Sequence, residues 1–89
     1  MTDTTYNGWT NYATWRVNLE IFDGIDAADM GWSRMDRWEL APVLKEYAEE
    51  IIEMTAPEGL ARDYALAFLD DVNYREIADM LISQNEEAA

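Results

Sequence analysis

The chain has 89 residues, a formal net charge of −13 at pH 7, and neither cysteine nor histidine. This composition excludes a disulfide framework and a thiolate zinc site, and the negative charge opposes direct binding to nucleic acid or to an anionic membrane surface. Hydrophobic residues still make up 49% of the chain, which excludes a disordered acidic tail and predicts one compact core.

The first predicted element follows a turn at Asn7-Gly8. Asn11 is a suitable N-cap for a helix over residues 12–22, because its side-chain oxygen accepts well from the first backbone amides of a helix. Apolar residues in this segment recur at three- and four-residue spacing, which predicts a buried face: Tyr12, Trp15, Leu19 and Phe22. Residues 25–33 are predicted to form a loop or a short helical turn.

A second helical region is predicted over residues 34–54. Pro42 lies inside it, and proline lacks a backbone donor and crowds the preceding turn. We therefore expect a kink or a break near residues 39–41, with the better-defined helix running from Pro42 to Met54. Its apolar face is predicted to hold Leu40, Leu44, Tyr47, Ala48, Ile51 and Met54.

Two more helices are predicted after residue 54. Thr55 and Glu58 have the spacing of a capping box, which predicts a third helix that buries Ala61, Ala65, Phe68, Leu69 and Val72. Asn73 is the expected N-cap of a fourth helix over residues 74–83. No segment alternates convincingly as a strand does, so we predict an all-α, compact single domain of three to four short helices, with residues 1–10 and 85–89 irregular.

The acidic residues form rows and clusters. Four of them share the outward face of the second helix, because they lie at i, i+3, i+4 and i+7: Glu46, Glu49, Glu50 and Glu53. Asp36 and Glu39 extend this row if the helix bends gently at Pro42. Two further clusters consist of Asp23, Asp26 and Asp29 and of Asp63, Asp70 and Asp71. Such rows are either ordinary solvated faces or surfaces that use their charge.

No motif in the chain points to catalysis or to metal binding. Residues 23–29 lack the ligand spacing of a calcium loop, and the chain has no Gly-rich phosphate loop. We predict no catalytic residue, no metal site and no cofactor, with a metal-binding or enzymatic domain, the latter built on a hidden carboxylate pair, left open as a third alternative. The tryptophans are expected in the core or at a protein interface, because the six cations are not expected to form the basic patch that base stacking needs.

Two segments carry a resemblance. Residues 6–15, YNGWTNYATW, resemble the NGW-x-NYxTW opening of small phage and mobile-element proteins. Residues 72–82, VNYREIADMLI, resemble the V-[DN]-[WY]-R-E-I-A segment of the same proteins. That group implies no activity and no site residues. In size and composition, the chain is also similar to the acidic anti-restriction and anti-CRISPR proteins that mimic DNA.

Together these observations predict an acidic DNA mimic, encoded by a phage and acting in the bacterial cytoplasm. It would occupy the basic DNA-binding groove of a host defence protein, above all a CRISPR effector complex, by competition without turnover. The expected contacts are the row from Glu46 to Glu53 first, then Asp36, Glu39 and the cluster Asp23, Asp26 and Asp29. The alternative is a non-enzymatic interaction module or homodimer anchored by Trp32 and Trp38. Neither interpretation involves a membrane, since no apolar run approaches the ~18 residues of a spanning helix.

Overall fold

The computed structural model describes residues 6–88. Within this range the chain forms four α-helices and no strand: α1 Tyr12–Val17, α2 Arg37–Thr55, α3 Leu60–Leu69 and α4 Tyr74–Ala88. The predicted all-α fold is confirmed. Of the termini predicted to be irregular, residues 1–5 and 89 lie outside the described range. No helix in the described part is long and apolar enough to cross a membrane.

The segment before α1 and the start of α1 follow the sequence prediction. Asn7 and Gly8 both have positive φ, and Tyr6 and Trp9 exchange two backbone hydrogen bonds of 2.8 Å around them, as in a tight hairpin turn. Asn11 caps α1, since its Oδ1 accepts from the backbone N–H of Thr14 at 2.9 Å. After Val17 the helix continues as a π-helical turn, Asn18–Phe22.

The buried face of this first helical segment differs from the prediction. Tyr12 and Leu19 are exposed, and the deeply buried positions are Ala13, Thr14, Val17 and Phe22. The helix is rotated because Thr14 is needed inside: its hydroxyl accepts a hydrogen bond from the backbone N–H of Asn73 at 2.9 Å. A buried backbone donor needs such a partner, and this requirement outweighs the burial of a larger apolar side chain.

The predicted break near residues 39–41 is wrong, because α2 runs without interruption from Arg37 to Thr55. The alternative of a kink within a continuous helix stays a prediction. Asp36 and Glu39 form a reciprocal capping box that fixes the first turn before the proline is reached. Pro42 itself lies on the exposed side of the helix. Water can therefore satisfy the backbone carbonyl one turn earlier that loses its donor.

The predicted capping box of Thr55 and Glu58 is also wrong. Thr55 is the last residue of α2, and its hydroxyl donates to the carbonyl of Ile51 at 2.7 Å. Such bonding to the preceding turn is a common alternative for a threonine hydroxyl. α3 begins after Gly59, and Ala61 and Phe68, predicted to be buried, are exposed.

α4 begins where the sequence predicts. The side chain of Asn73 accepts from the backbone N–H of Glu76 at 3.3 Å, as expected of an N-cap. The helix then continues to Ala88, past the predicted end at Ser83. The most extensive helix packing is between α2 and α4. It contains fully buried side chains from both helices: Leu40, Leu44, Ala48, Ile77, Ala78 and Leu81.

Candidate functional site

One exposed side of α2 borders an acidic groove, which lies between α2 and the loop that precedes it. The groove is lined by Met30, Trp32, Val43, Glu46, Tyr47 and Glu50 and has a volume of about 260 Å³. Glu46 and Glu50 are both exposed, and they lie one helical turn apart. The described lining therefore contains two carboxylates and no cation.

The loop is held against α2 by aromatic contacts. The ring of Tyr47 lies 5.6 Å from the ring of Trp32 and 5.9 Å from that of Phe22, measured between centroids. Asp29 directly precedes Met30, which lines the acidic groove, and Asp29 is exposed but is not itself a lining residue.

Asp23 and Asp26 lie earlier in the same loop, and both are exposed. Asp26 also shapes the loop, because its carboxylate accepts from the backbone N–H of Ala28 at 2.9 Å. The loop cluster thus consists of exposed carboxylates on a segment that the core anchors on both sides, at Phe22 and Trp32.

The remaining acidic residues predicted as contacts have partners within the fold. Asp36 and Glu39 hydrogen-bond each other's backbone at the start of α2, with Asp36 accepting at 2.8 Å and Glu39 at 3.2 Å. Glu53 forms an ion pair of 3.2 Å with Arg62 on α3. Asp36 and Glu39 therefore serve as caps while they remain exposed, and of the three carboxylates Glu53 alone has its charge opposed by a cation.

Glu49 lies on a different side of α2 from Glu46 and Glu50. It is half-buried, and its charge acts on Tyr74, the first residue of α4. Burial raises the pKa of Tyr74 well above its usual range, and the nearby carboxylates of Glu49 and Asp70 raise the pKa further. The four glutamates of the predicted row therefore have three different environments. Glu46 and Glu50 line the acidic groove, Glu49 lies near Tyr74, and Glu53 is paired with Arg62.

A second exposed side of α2 forms the Trp38 pocket, with a volume of about 420 Å³. It is lined by Trp38, Ala41, Pro42, Lys45, Tyr74 and Arg75. The indole of Trp38 is 63% exposed, whereas Trp32, predicted as a second interface anchor, is only 7% exposed and belongs to the core.

Cations surround this indole. The guanidinium carbon of Arg75 lies 5.2 Å from the indole centroid and that of Arg37 lies 5.8 Å from it, both within cation–π range. Arg37 also makes two hydrogen bonds to Asp79 of α4. Together with Lys45, three cations meet around one exposed tryptophan, and sequence spacing does not indicate this patch because Arg75 is far from the other two in the chain.

A third exposed surface, the α3 stripe, is apolar. Leu60, Tyr64 and Phe68 recur every fourth residue along the outer side of α3, and the first two are 66% and 69% exposed. The ring centroid of Phe68 lies 6.4 Å from that of Tyr12, which in turn lies 5.1 Å from that of Tyr6. These five side chains form the stripe.

The two segments that carry the resemblance contact each other. The backbone N–H of Thr10 donates to the Glu76 carboxylate at 2.9 Å. Asn11 Nδ2 donates at 2.8 Å to the backbone carbonyl of Asp71, the residue just before the second segment. With the bond between Asn73 and Thr14, they form a polar junction between α1 and the turn into α4. The motif residues that make these bonds, Asn11, Thr14, Asn73 and Glu76, therefore have structural roles.

Within the part of the chain that the structure describes, no group of three or more metal-ligating side chains is arranged to hold a metal ion. Comparisons with protein-family models, curated protein sequences and solved structures find no significant match. The resemblance to phage and mobile-element proteins thus stays a prediction, and the function has to be argued from the three surfaces.

Proposed function

We propose that this protein is an acidic inhibitor that mimics DNA. In this proposal the acidic groove side of α2 enters the basic DNA-binding groove of a bacterial defence protein, above all a CRISPR effector complex, and excludes duplex DNA without turnover. It is a phage counter-defence protein that acts in the bacterial cytoplasm. The observation that carries the proposal is a net charge of −13 on a chain of 89 residues whose residues 6–88 fold around a hydrophobic core.

The spacing of the exposed glutamates supports this proposal. Four residues of an α-helix rise about 6 Å, which separates Glu46 from Glu50 along the axis. One strand of duplex DNA carries a phosphate about every 3.4 Å of axis. Every second phosphate is therefore about 7 Å away, which is close to the helical rise between the two glutamates. Glu46 and Glu50 therefore replace roughly every second phosphate, and the exposed Asp23, Asp26 and Asp29 add charge beside them.

The rigidity of α2 supports it as well. The helix has nineteen residues, its N-terminus is closed by a capping box, and its inner side is fully buried at Leu40, Leu44 and Ala48. The backbone that carries these carboxylates needs little ordering when they bind, so only the side chains lose conformational entropy on association. Complementary charge also speeds the encounter of two partners, and salt weakens this effect.

A competition experiment tests the proposal. Purified CRISPR effector complexes of several types are bound to labelled duplex target DNA, and the protein is added in increasing amounts. We expect the wild type to displace DNA from at least one complex, with an apparent affinity that falls steeply as salt rises. The variant Glu46→Lys/Glu50→Lys should lose at least tenfold in apparent affinity.

The matched control is Glu58→Lys/Asp63→Lys. It changes the net charge by the same amount, but both residues are exposed on or next to α3. We expect this control to compete nearly as well as the wild type. Equal losses in the two variants would show that only bulk charge matters and would overturn the acidic groove as the site. Failure of the wild type to displace DNA from any complex would overturn the proposal of a CRISPR inhibitor.

A second candidate function is a non-enzymatic interaction module that forms a homodimer through the α3 stripe. Two copies that each carry −13 repel one another, so they would meet most favourably where charge is sparse. The ten residues of α3 include only Arg62 and Asp63 as charged residues, and Arg62 is paired with Glu53. The exposed Leu60 and Tyr64 supply apolar area for such a contact.

Salt separates the two candidates, because it acts on them with opposite signs. Sedimentation velocity at about 0.05 M and about 0.5 M NaCl should show a dimer that tightens with salt, since salt screens the repulsion between copies. Tyr64→Glu should leave a monomer, whereas Ser83→Glu, with the same charge change on exposed α4, should not. A wild type that sediments as a monomer at both salt concentrations contradicts the homodimer.

A further inference from the structure

The Trp38 pocket concentrates positive charge in a protein whose overall field repels anions. Three of the six cations of the chain, Arg37, Lys45 and Arg75, lie at or beside it. The ion pairs within the described residues engage Arg16, Arg37 and Arg62, and neither Lys45 nor Arg75 takes part in one of them. Lys45 and Arg75 thus add local positive charge where the exposed indole lies.

The pocket also has an apolar floor. Ala41 and Pro42 of α2 line the pocket together with Trp38, and Tyr74 of α4 also lines it. Tyr74 is only 8% exposed, and its hydroxyl is buried without a hydrogen-bond partner among the described residues. A volume of about 420 Å³ is in the range of sites for small ligands or single side chains, roughly 300–1,000 Å³.

The rim of the pocket provides hydrogen-bond donors. The ammonium of Lys45, the guanidinium of Arg75 and the indole N–H of Trp38 donate and do not accept. A ligand that fits must therefore bring an acceptor, and the cations favour an acceptor with negative charge. The apolar floor favours an aromatic or aliphatic group next to that acceptor.

The neighbouring polar groove limits the charge of the ligand. It is lined by Arg37, Asn73, Arg75, Glu76 and Asp79, and it shares Arg75 with the Trp38 pocket. Arg37, Lys45 and Arg75 bring three positive charges to the two sites, and Glu76 and Asp79 bring two negative ones, which leaves one net positive charge among these side chains, while Glu49 and Asp70 act on Tyr74 from outside the lining. That balance matches a single carboxylate better than a phosphate dianion, which the net charge of −13 would also repel.

We propose that the Trp38 pocket binds an acidic peptide segment of a partner protein. A carboxylate of the peptide pairs with Lys45 and Arg75, and an adjacent apolar side chain packs on Trp38 and Pro42. This site shares no lining residue with the acidic groove, so it does not depend on the proposed DNA mimicry. It would give the protein a second partner, of opposite charge to the first.

The test is an NMR titration of the ¹⁵N-labelled protein with a matched pair of peptides. Acetyl-Gly-Asp-Phe-Gly-amide carries one carboxylate, and acetyl-Gly-Asn-Phe-Gly-amide has nearly the same size without the charge. We expect the first peptide to shift the indole N–H signal of Trp38 saturably and to bind at least fivefold more tightly than the second. Acetyl-Gly-Phe with a free carboxyl terminus shows whether a chain end or an acidic side chain is preferred.

Charge-matched variants locate the binding site. Arg75→Gln and Lys45→Gln should each weaken the Asp peptide at least threefold, whereas Arg16→Gln on α1 lowers the net charge equally and should leave the affinity unchanged. Because all three side chains are exposed, the folded spectrum should persist in each variant. Trp38→Ala should abolish the shifts of neighbouring backbone amides.

Three results would overturn the proposal. Equal affinity for the two peptides would exclude recognition of the carboxylate. Inorganic phosphate that binds as tightly as the Asp peptide would exclude a role for the apolar floor. Shifts that persist in Trp38→Ala would place the peptide elsewhere on the surface.

Discussion

The two exposed sides of α2 differ in charge although they belong to one helix. The described lining of the acidic groove includes Glu46 and Glu50 and no cation, whereas that of the Trp38 pocket includes Lys45 and Arg75 and no carboxylate. Lys45 and Glu46 are neighbours in the sequence, but successive helical residues point about 100° apart. A net charge of −13 therefore describes neither side, and each has to be tested with its own probe.

Both sides of α2 can bind as proposed only if the core holds the helix rigidly. Substitution of Leu44 tests this and has the largest expected effect. Leu44 is fully buried between the two sides. Leu44→Ala should lower the free energy of unfolding by about 2–5 kcal/mol, since lost burial and the remaining cavity both destabilise. Urea unfolding followed by circular dichroism at the helical band measures this change.

Leu60→Ala is the matched control for Leu44→Ala. It removes the same atoms from an exposed position on α3, so we expect a change within about 0.5 kcal/mol. If the two variants lost equal stability, α2 would not be supported by the core as described. Both surfaces on α2 would then have to be regarded as mobile.

The sequence predicted those parts of the fold that depend on neighbouring residues. The caps at Asn11 and Asn73 were correct because a cap needs only its own side chain and the next two or three amides. The Thr55 cap failed because a threonine hydroxyl at the end of one helix can bond backwards as well as forwards. Local signals identify a helix end, but they do not always decide on which side of the residue the helix lies.

The candidate sites were less predictable because they combine distant residues. Helical spacing correctly indicated that Glu46 and Glu50 share an exposed side, but it did not show that Arg62 would reach Glu53 from α3. The Trp38 pocket forms only when α4 packs on α2, which brings Arg75 beside Trp38. Sequence spacing contains no signal for a contact between residues 38 and 75.

Substitution of Asp36 tests whether this carboxylate stabilises the fold, and its expected effect on the free energy of unfolding is intermediate. Asp36→Ala should lower the free energy of unfolding by about 1 kcal/mol, because the side chain caps α2 and accepts from the backbone N–H of Glu39. Asp36→Asn removes the same charge but keeps a good cap, so its loss should be only a few tenths of a kcal/mol. Thermal unfolding of both variants, set beside their DNA competition, separates stability from binding.

Equal destabilisation by the two substitutions would show that the charge of Asp36, rather than its cap, supports the helix. If both variants lost most of their competition with DNA while remaining folded, Asp36 would belong to the binding surface after all. In that case the acidic site would extend to the start of α2, as the sequence analysis predicted.

Tyr74, under the Trp38 pocket, gives the smallest expected effect and tests the other side of α2. Its pKa is raised by burial and by the charges of Glu49 and Asp70, whereas a tyrosine in the unfolded chain ionises near pH 10. Above that pH the unfolded chain releases a proton that the native state keeps. The contribution of this raised pKa to the free energy of unfolding is therefore fully present below about pH 10. It is lost as the pH rises, and the loss reaches about 0.8 kcal/mol at about pH 10.5.

Tyr74→Phe should remove the part of the stability loss at alkaline pH that comes from this hydroxyl. Urea unfolding at neutral pH and at about pH 10.5 measures the difference. The control Tyr64→Phe removes the hydroxyl of a tyrosine that is 69% exposed, and it should keep the wild-type pH dependence. If Tyr74→Phe also kept the wild-type pH dependence of stability, the hydroxyl would ionise as readily in the native state as in the unfolded one. The end of the pocket at Tyr74 would then be open to water, and an apolar side chain would gain little by packing there.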